Sequence, residues 1–129
     1  MKIPEGTKSI LCVCTGGKDR SPIMAEYFRS LGYEARAVGI SEYRTEENGT
    51  AWLRVADIEF ADMIVVVSSL HEAFVRGVER GAGPHRYHLC IRTVEKLGTK
   101  ENRDGMSAKA FRDWVLSIMR EAFPVSGGR

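Results

Sequence analysis

Apolar residues along this chain alternate between short continuous runs and stripes at helical spacing. Ile10-Leu11-Cys12-Val13 is such a run and predicts a first strand over Ser9–Val13. From Ser21 to Leu31 the apolar residues Ile23, Met24, Tyr27, Phe28 and Leu31 recur three and four positions apart, the spacing of one helix face. Gly32 ends that helix. A second strand is predicted over Glu34–Val38, then a polar loop from Gly39 to Gly49 and a short helix over Ala51–Ala56. Met63–Val67 is uninterrupted and apolar, as in a central strand covered on both faces. Ser69 is placed to cap a helix with Leu70, Ala73, Phe74 and Val78 on one face. Gly81-Ala82-Gly83-Pro84 reads as a turn and Tyr87–Ile91 as a fourth strand. A last helix carries Phe111, Trp114, Val115, Ile118, Met119 and Phe123 on one stripe before Pro124, and Val125–Arg129 reads as a frayed end. Strands alternating with helices predict an α/β fold with a parallel sheet and right-handed crossovers. Ligands of such sheets bind at the C-terminal strand ends, where the winding reverses. The end of the first strand is the expected switch point.

The segment at that point is Cys14-Thr15-Gly16-Gly17-Lys18-Asp19-Arg20-Ser21-Pro22. A strand, a tight loop and a helix N-terminus together form an anion site, because unpaired N–H groups and the helix dipole face the loop. Gly16 and Gly17 are expected at positive φ, which lets successive amides turn inward as a nest. Backbone N–H groups from Thr15 through Arg20, Lys18 and Asp19 included, would then face three phosphate oxygens. Thiols held at helix N-termini beside arginine ionise readily, so Cys14 reads as a nucleophile needing no separate base. Arg20 carries a planar fork that matches two phosphate oxygens. Ser21 is expected at the N-cap, with its hydroxyl in reach of the sulfur, and Pro22 at the first helical position. For a lone cysteine a buried strand-end role is the better reading. Here the glycines, the arginine and the strand-to-helix context together favour the nucleophile. Lys18 either adds positive potential at the pocket mouth or is an ordinary solvated lysine. Asp19 adds negative charge, which weakens anion binding unless its side chain turns outward.

The stretch from Ile10 to Leu31 resembles the N-terminal signature of the low-molecular-weight protein tyrosine phosphatase family. Its Lys-Asp-Arg-Ser-Pro form is most similar to a small branch described as predicted tyrosine phosphatases. Ala61-Asp62 ahead of the third strand resembles the same family. The resemblance implies a three-layer sandwich with a four-stranded parallel sheet in order 2-1-3-4. It also implies a phosphocysteine intermediate on Cys14, phosphate binding by Arg20 and assistance to the thiolate from Ser21. An aromatic wall against the substrate ring falls on Tyr43, which reads equally as a surface tyrosine. Three departures stand out. Gly17 replaces an asparagine in left-handed conformation. Asp19 replaces a second loop cysteine that can protect the nucleophile as a disulfide. The family's Asp-Pro acid is missing, since no Asp-Pro occurs in the chain. In the corresponding region Asp104 is the first candidate for the general acid and Glu101 the second; each also reads as part of a solvated loop.

Composition narrows the functions. With 129 residues the chain is expected to form a single domain over 1–129. Its 19 basic and 17 acidic residues leave a net charge of +2, which argues against a nucleic-acid surface. No apolar run reaches membrane-spanning length, and the N-terminus carries no signal-peptide pattern. Three cysteines are not a disulfide framework, so a reducing, cytoplasmic setting is expected. Cys12 and Cys90 read as core residues, and so does Trp52. His71, His85 and His88 lack metal-ligand spacing, and neither metal nor cofactor is expected. The resulting expectation is a metal-independent phosphomonoester hydrolase, a protein tyrosine phosphatase in particular, acting on a phosphorylated protein or small aryl phosphate. The alternative is a non-catalytic anion-binding module, motivated by the missing Asp-Pro and by Asp19. An arsenate reductase needs two further relay cysteines, and only Cys90 lies downstream of Cys14.

Overall fold

Six consecutive buried residues make β1 (Ser9–Cys14) an interior strand of the sheet. The computed structural model describes residues 1–81, 89–98 and 105–125. After β1 come α1 (Arg20–Ser30), β2 (Glu34–Gly39), α2 (Glu42–Asn48), α3 (Val55–Phe60), β3 (Met63–Val66), α4 (Ser69–Gly81) and β4 (Ile91–Thr93). A tight helical turn, Glu95–Gly98, and α5 (Ala108–Ala122) complete the order. The four strands form one sheet in the order β2-β1-β3-β4, with every pair parallel. That is the expected topology.

Side chains alternate across β1, so Ile10, Cys12 and Cys14 face one layer while Leu11 and Val13 face the other. The first face packs on Met24 and Phe28 of α1 and on Val115 and Met119 of α5. The second packs on Ile58 of α3 and Val75 of α4. Phe28 sits edge-on to Tyr27, Tyr33 and Phe123, the last at 5.2 Å between ring centroids. Tyr27 Oη donates to the Phe123 carbonyl at 2.5 Å, and an Arg112–Glu26 ion pair joins α5 to α1. Asp62 ties the start of β1 to β3: its Oδ2 accepts from Lys8 N at 2.9 Å, Ser9 N at 3.1 Å and Ser9 Oγ at 3.2 Å. The Ala-Asp pair ahead of the third strand therefore fixes sheet register.

Several expectations need correction. The polar stretch after β2 is not a loop but contains α2. Ser41 Oγ accepts from Arg44 N at 3.1 Å, and Gly49 closes the helix at φ 68°. Its seven residues bury only Thr45, so no apolar stripe betrays it. The next helix is Val55–Phe60, later than expected, because residue 52 bridges to the end of β2 in extended conformation. Trp52 is consequently not core; it is 37% exposed and donates from Nε1 to the Ile40 carbonyl. Ser68 rather than Ser69 stands at the head of α4, its Oγ accepting from His71 N, and Leu70 is exposed. β4 begins at Ile91, with the half-buried Cys90 just before it. Residues Ala82–Pro84 of the expected turn and Tyr87 lie outside the described residues.

Phe28→Ala is expected to destabilise the fold by about 3–5 kcal/mol, since it empties a fully buried aromatic site. Leu70→Ala is expected to change stability by less than about 0.5 kcal/mol. Urea unfolding of the two variants against wild type checks both values.

Candidate active site

The loop of residues 15–19 leaves the C-terminal end of β1 and enters α1. Cys14 is the last residue of β1 and is buried, as is Ser21. The thiol donates to Ser21 Oγ at 3.2 Å; with the sulfur ionised, the hydroxyl would donate instead. Ser21 is thus not the N-cap. Asp19 holds that position with helical backbone angles and no capping side-chain hydrogen bond. Ser21 lies inside the first turn with its hydroxyl committed to the sulfur. Pro22 is the third helical residue, still among the positions whose N–H finds no partner within a helix.

Glycine is required at two points. Gly17 has φ 65°, whereas Gly16, against expectation, does not adopt positive φ. A Cβ on Gly17 would lie 3.0 Å from Gly39 N. One on Gly39 would lie 2.7 Å from each of Gly17 N, Thr15 O and Thr45 Cγ2. The loop therefore rests backbone-on-backbone against the end of β2. From there Ile40 N donates to Cys14 O and Ser41 N to Thr15 O, each at 3.0 Å. Thr50 Oγ1 donates to Gly16 O at 2.7 Å, and Asn48 Nδ2 to the same oxygen at 3.4 Å. These bonds turn three consecutive carbonyls toward α2. In a trans peptide the N–H points opposite to the C=O, so the amides of Thr15, Gly16 and Gly17 face the other way.

The opposite side of the loop meets α4. His71, buried, places Nε2 3.0 Å from Thr15 Oγ1 and Nδ1 2.5 Å from Ser68 Oγ. Burial, aided by the nearby charge of Arg20, pushes the imidazole pKa down to about 4. Arg20 Nη1 donates to Leu97 O at 2.7 Å, which ties the arginine to the turn after β4. That turn is drawn in tightly: a Cβ on Gly98 would collide with Val67 O. The loop is thus enclosed by α2, α4 and the 95–98 turn.

Other expected residues are exposed or lie outside the described residues. Tyr43, on the first turn of α2, is 75% exposed, and Lys18 is exposed. Arg44 lies over Gly16, with its Cβ 3.6 Å from where a Gly16 Cβ would be. Asp104 and Glu101 lie outside the described residues, as do His85 and His88. Cys12 shares the Cys14 face of the sheet and is fully buried, and burial holds its thiol protonated by raising its pKa. Among the described residues no cluster of three or more His, Cys, Asp or Glu could hold a metal, and no helix is long and apolar enough to cross a membrane. Sequence reasoning missed His71, Ser68, Thr50 and Leu97. Ser-x-x-His directly after a strand's C-terminal end was the available signal for the first two.

Solved structures share this architecture. The YwlE arginine phosphatase from Geobacillus stearothermophilus superposes with a TM-score of 0.61 at 19% identity, over 89% of this chain and 90% of that one. Vibrio vulnificus Wzb in complex with benzylphosphonate gives 0.63 at 19% identity, over 91% and 94%. A low-molecular-weight protein tyrosine phosphatase from T. tengcongensis gives 0.62 at 20% identity, over 89% and 97%. The chain has the low-molecular-weight tyrosine phosphatase fold. No protein-family model matches the chain, and no curated protein does. The likeness thus lies in the course of the backbone, and the loop of residues 15–19 occupies the β1–α1 junction of that fold.

Two outcomes follow from the geometry. Gly39→Ala is expected to destabilise the protein by about 1–3 kcal/mol through overpacking against the loop, measured by the denaturant midpoint. The His71 pKa of about 4 lies below the 6.5 of a free histidine, so the unfolded chain takes up the proton first. Its stabilising contribution is therefore full above pH 6.5 and is lost as the pH falls toward 4. Unfolding midpoints across that window should fall more steeply for wild type than for His71→Gln.

Proposed function

We propose that the chain is a metal-independent, cysteine-dependent phosphomonoester hydrolase acting on aryl phosphates, phosphotyrosine in proteins above all. The observation that carries this reading is the Cys14 sulfur, 3.2 Å from Ser21 Oγ, at the mouth of a glycine loop that opens onto a helix N-terminus. In the proposed reaction the thiolate attacks phosphorus. The sulfur–phosphorus bond forms as the bond to the leaving oxygen breaks. Loop amides and Arg20 hold the three other phosphate oxygens. Water then attacks the phosphocysteine, releasing inorganic phosphate and restoring the thiolate. Ser21 stabilises the sulfur as nucleophile and as leaving group.

Asp104 is assigned as donor of the proton to the leaving oxygen, with Glu101 as the second candidate. Phenols ionise near pH 10, far more readily than alcohols, so an aryl ester depends less on that donor. Side chains of α2 and the loop support an aryl substrate as well. Tyr43 offers an exposed ring for stacking. Arg44, lying over Gly16, and the exposed Lys18 favour an anionic ligand. They disfavour a phosphorylated arginine, whose guanidinium brings its own positive charge. A reducing compartment, the cytoplasm, suits a reactive Cys14, and the described cysteines Cys12, Cys14 and Cys90 are all free thiols.

Hydrolysis of para-nitrophenyl phosphate near pH 6, with chelator present, tests the reading. Wild type is expected to turn over, Cys14→Ser to fall to background, and Asp104→Asn to lose about 10²-fold or more on phenyl phosphate but far less on the nitrophenyl ester. Phosphate binding by a wild type that shows no turnover would point instead to an anion-binding module.

A further inference from the structure

The mechanism above makes no use of His71, yet this is a buried, titratable side chain within hydrogen-bond reach of the residue next to the nucleophile. The two ends of its ring are engaged differently. Ser68 Oγ accepts from the His71 backbone N–H at 3.4 Å and lies 2.5 Å from Nδ1, to which it can donate its own proton. A neutral imidazole has one donor and one acceptor nitrogen. With Nδ1 accepting, Nε2 carries the hydrogen and donates to Thr15 Oγ1 at 3.0 Å. Thr15 keeps its hydroxyl proton for a third group, and its carbonyl is already held by Ser41 N. Thr15 is therefore gripped from both sides, main chain from α2 and side chain from α4. We propose that His71, oriented by Ser68, is a positioning residue that holds Thr15, and with it the amides following Cys14, in the shape that receives a phosphoryl group.

This inference rests on the reading of residues 14–20 as a phosphate loop. A second charge at this point would face Arg20, so the device works only with a neutral ring, and burial keeps the ring neutral through the working range. The bond also spans 56 residues of sequence, linking the loop to the helix that follows β3. Its loss frees the loop's second residue without emptying the core.

The test compares His71→Ala, His71→Gln, Thr15→Val and the double variant His71→Ala/Thr15→Val. The readouts are kcat and KM on para-nitrophenyl phosphate, the inhibition constant of inorganic phosphate, and the melting temperature. Each of His71→Ala and Thr15→Val is expected to weaken phosphate inhibition and lower kcat by about tenfold, the worth of one well-made buried hydrogen bond. The double variant should be no worse than either single one, because both remove the same bond. Glutamine, which keeps a donor at similar reach, should restore both parameters to within about threefold of wild type. Fully additive losses, or a lower melting temperature with kcat and phosphate inhibition within twofold of wild type, would overturn the proposal. Should His71→Ala fail to fold, Thr15→Val and His71→Gln decide it on the same readouts. An active, phosphate-binding wild type with unaffected variants overturns the role of His71 alone. A wild type that neither binds phosphate nor turns over overturns the phosphatase reading and this proposal together.

Discussion

The contact of Gly17 with Gly39 is the constraint on which the site depends. The end of β2 and the floor of the loop approach so closely that either Cβ would collide with backbone or with Thr45. Because both residues lack one, the chain just beyond Gly39 reaches the loop carbonyls, and Ile40 and Ser41 donate to Cys14 and Thr15. Ser41 then caps α2, and α2 returns Asn48 and Thr50 to the Gly16 carbonyl. One steric condition thus sets a series of hydrogen bonds that turns three peptide planes the same way. The inward amide face of the loop follows from that alignment, with no ligand needed to create it.

The other wall is set by side chains rather than by close backbone approach. Arg20 reaches the Leu97 carbonyl, and Gly98 lets that turn lie against the end of β3. An arginine held by a neutral carbonyl keeps its full charge while losing rotamer freedom. Less ordering is then left to be done when an anion arrives. The same charge acts on His71, disfavouring a second cation there. Arg20, His71 and Thr15 therefore form one electrostatic unit, in which the charge belongs to Arg20 and the imidazole and hydroxyl act as neutral dipoles.

What could be read from the sequence follows from how local each interaction is. β1 and β3 announce themselves as continuous apolar runs, α1 by its helical spacing, and the loop motif because its parts are contiguous. α2 carries no apolar stripe, since it buries one threonine and is otherwise polar but for the exposed Tyr43; only Ser41 and Gly49 mark its ends. Trp52 reads as a core residue in the sequence, whereas its indole nitrogen donates to the Ile40 carbonyl from a partly exposed position. The Ser-x-x-His spacing marks the local partner of His71, whereas its contact with Thr15 is hidden because that residue lies in another element and the imidazole binds a hydroxyl rather than a metal. Gly16 departs from its expected positive φ for a related reason. One left-handed residue, Gly17, is enough to turn the loop, and Gly16 serves instead to leave room beneath Arg44 and Asn48.

The N-terminus of α1 shows how local stability is set aside in such a site. A helix start normally gains about 1 kcal/mol from a side-chain cap. Here the cap position is Asp19, which makes no capping hydrogen bond. Ser21 is spent on the sulfur, and Pro22 has no N–H to offer. A capping oxygen would occupy the first-turn amides and compete with an anion for them. Leaving those groups uncapped keeps the dipole's positive end directed at the loop, where a thiolate or a phosphoryl oxygen gains from it. The missing cap and the paired glycines act together: the absent Cβ atoms let the backbones of the loop and β2 meet, and the absent cap leaves the first-turn amides of α1 open toward that loop.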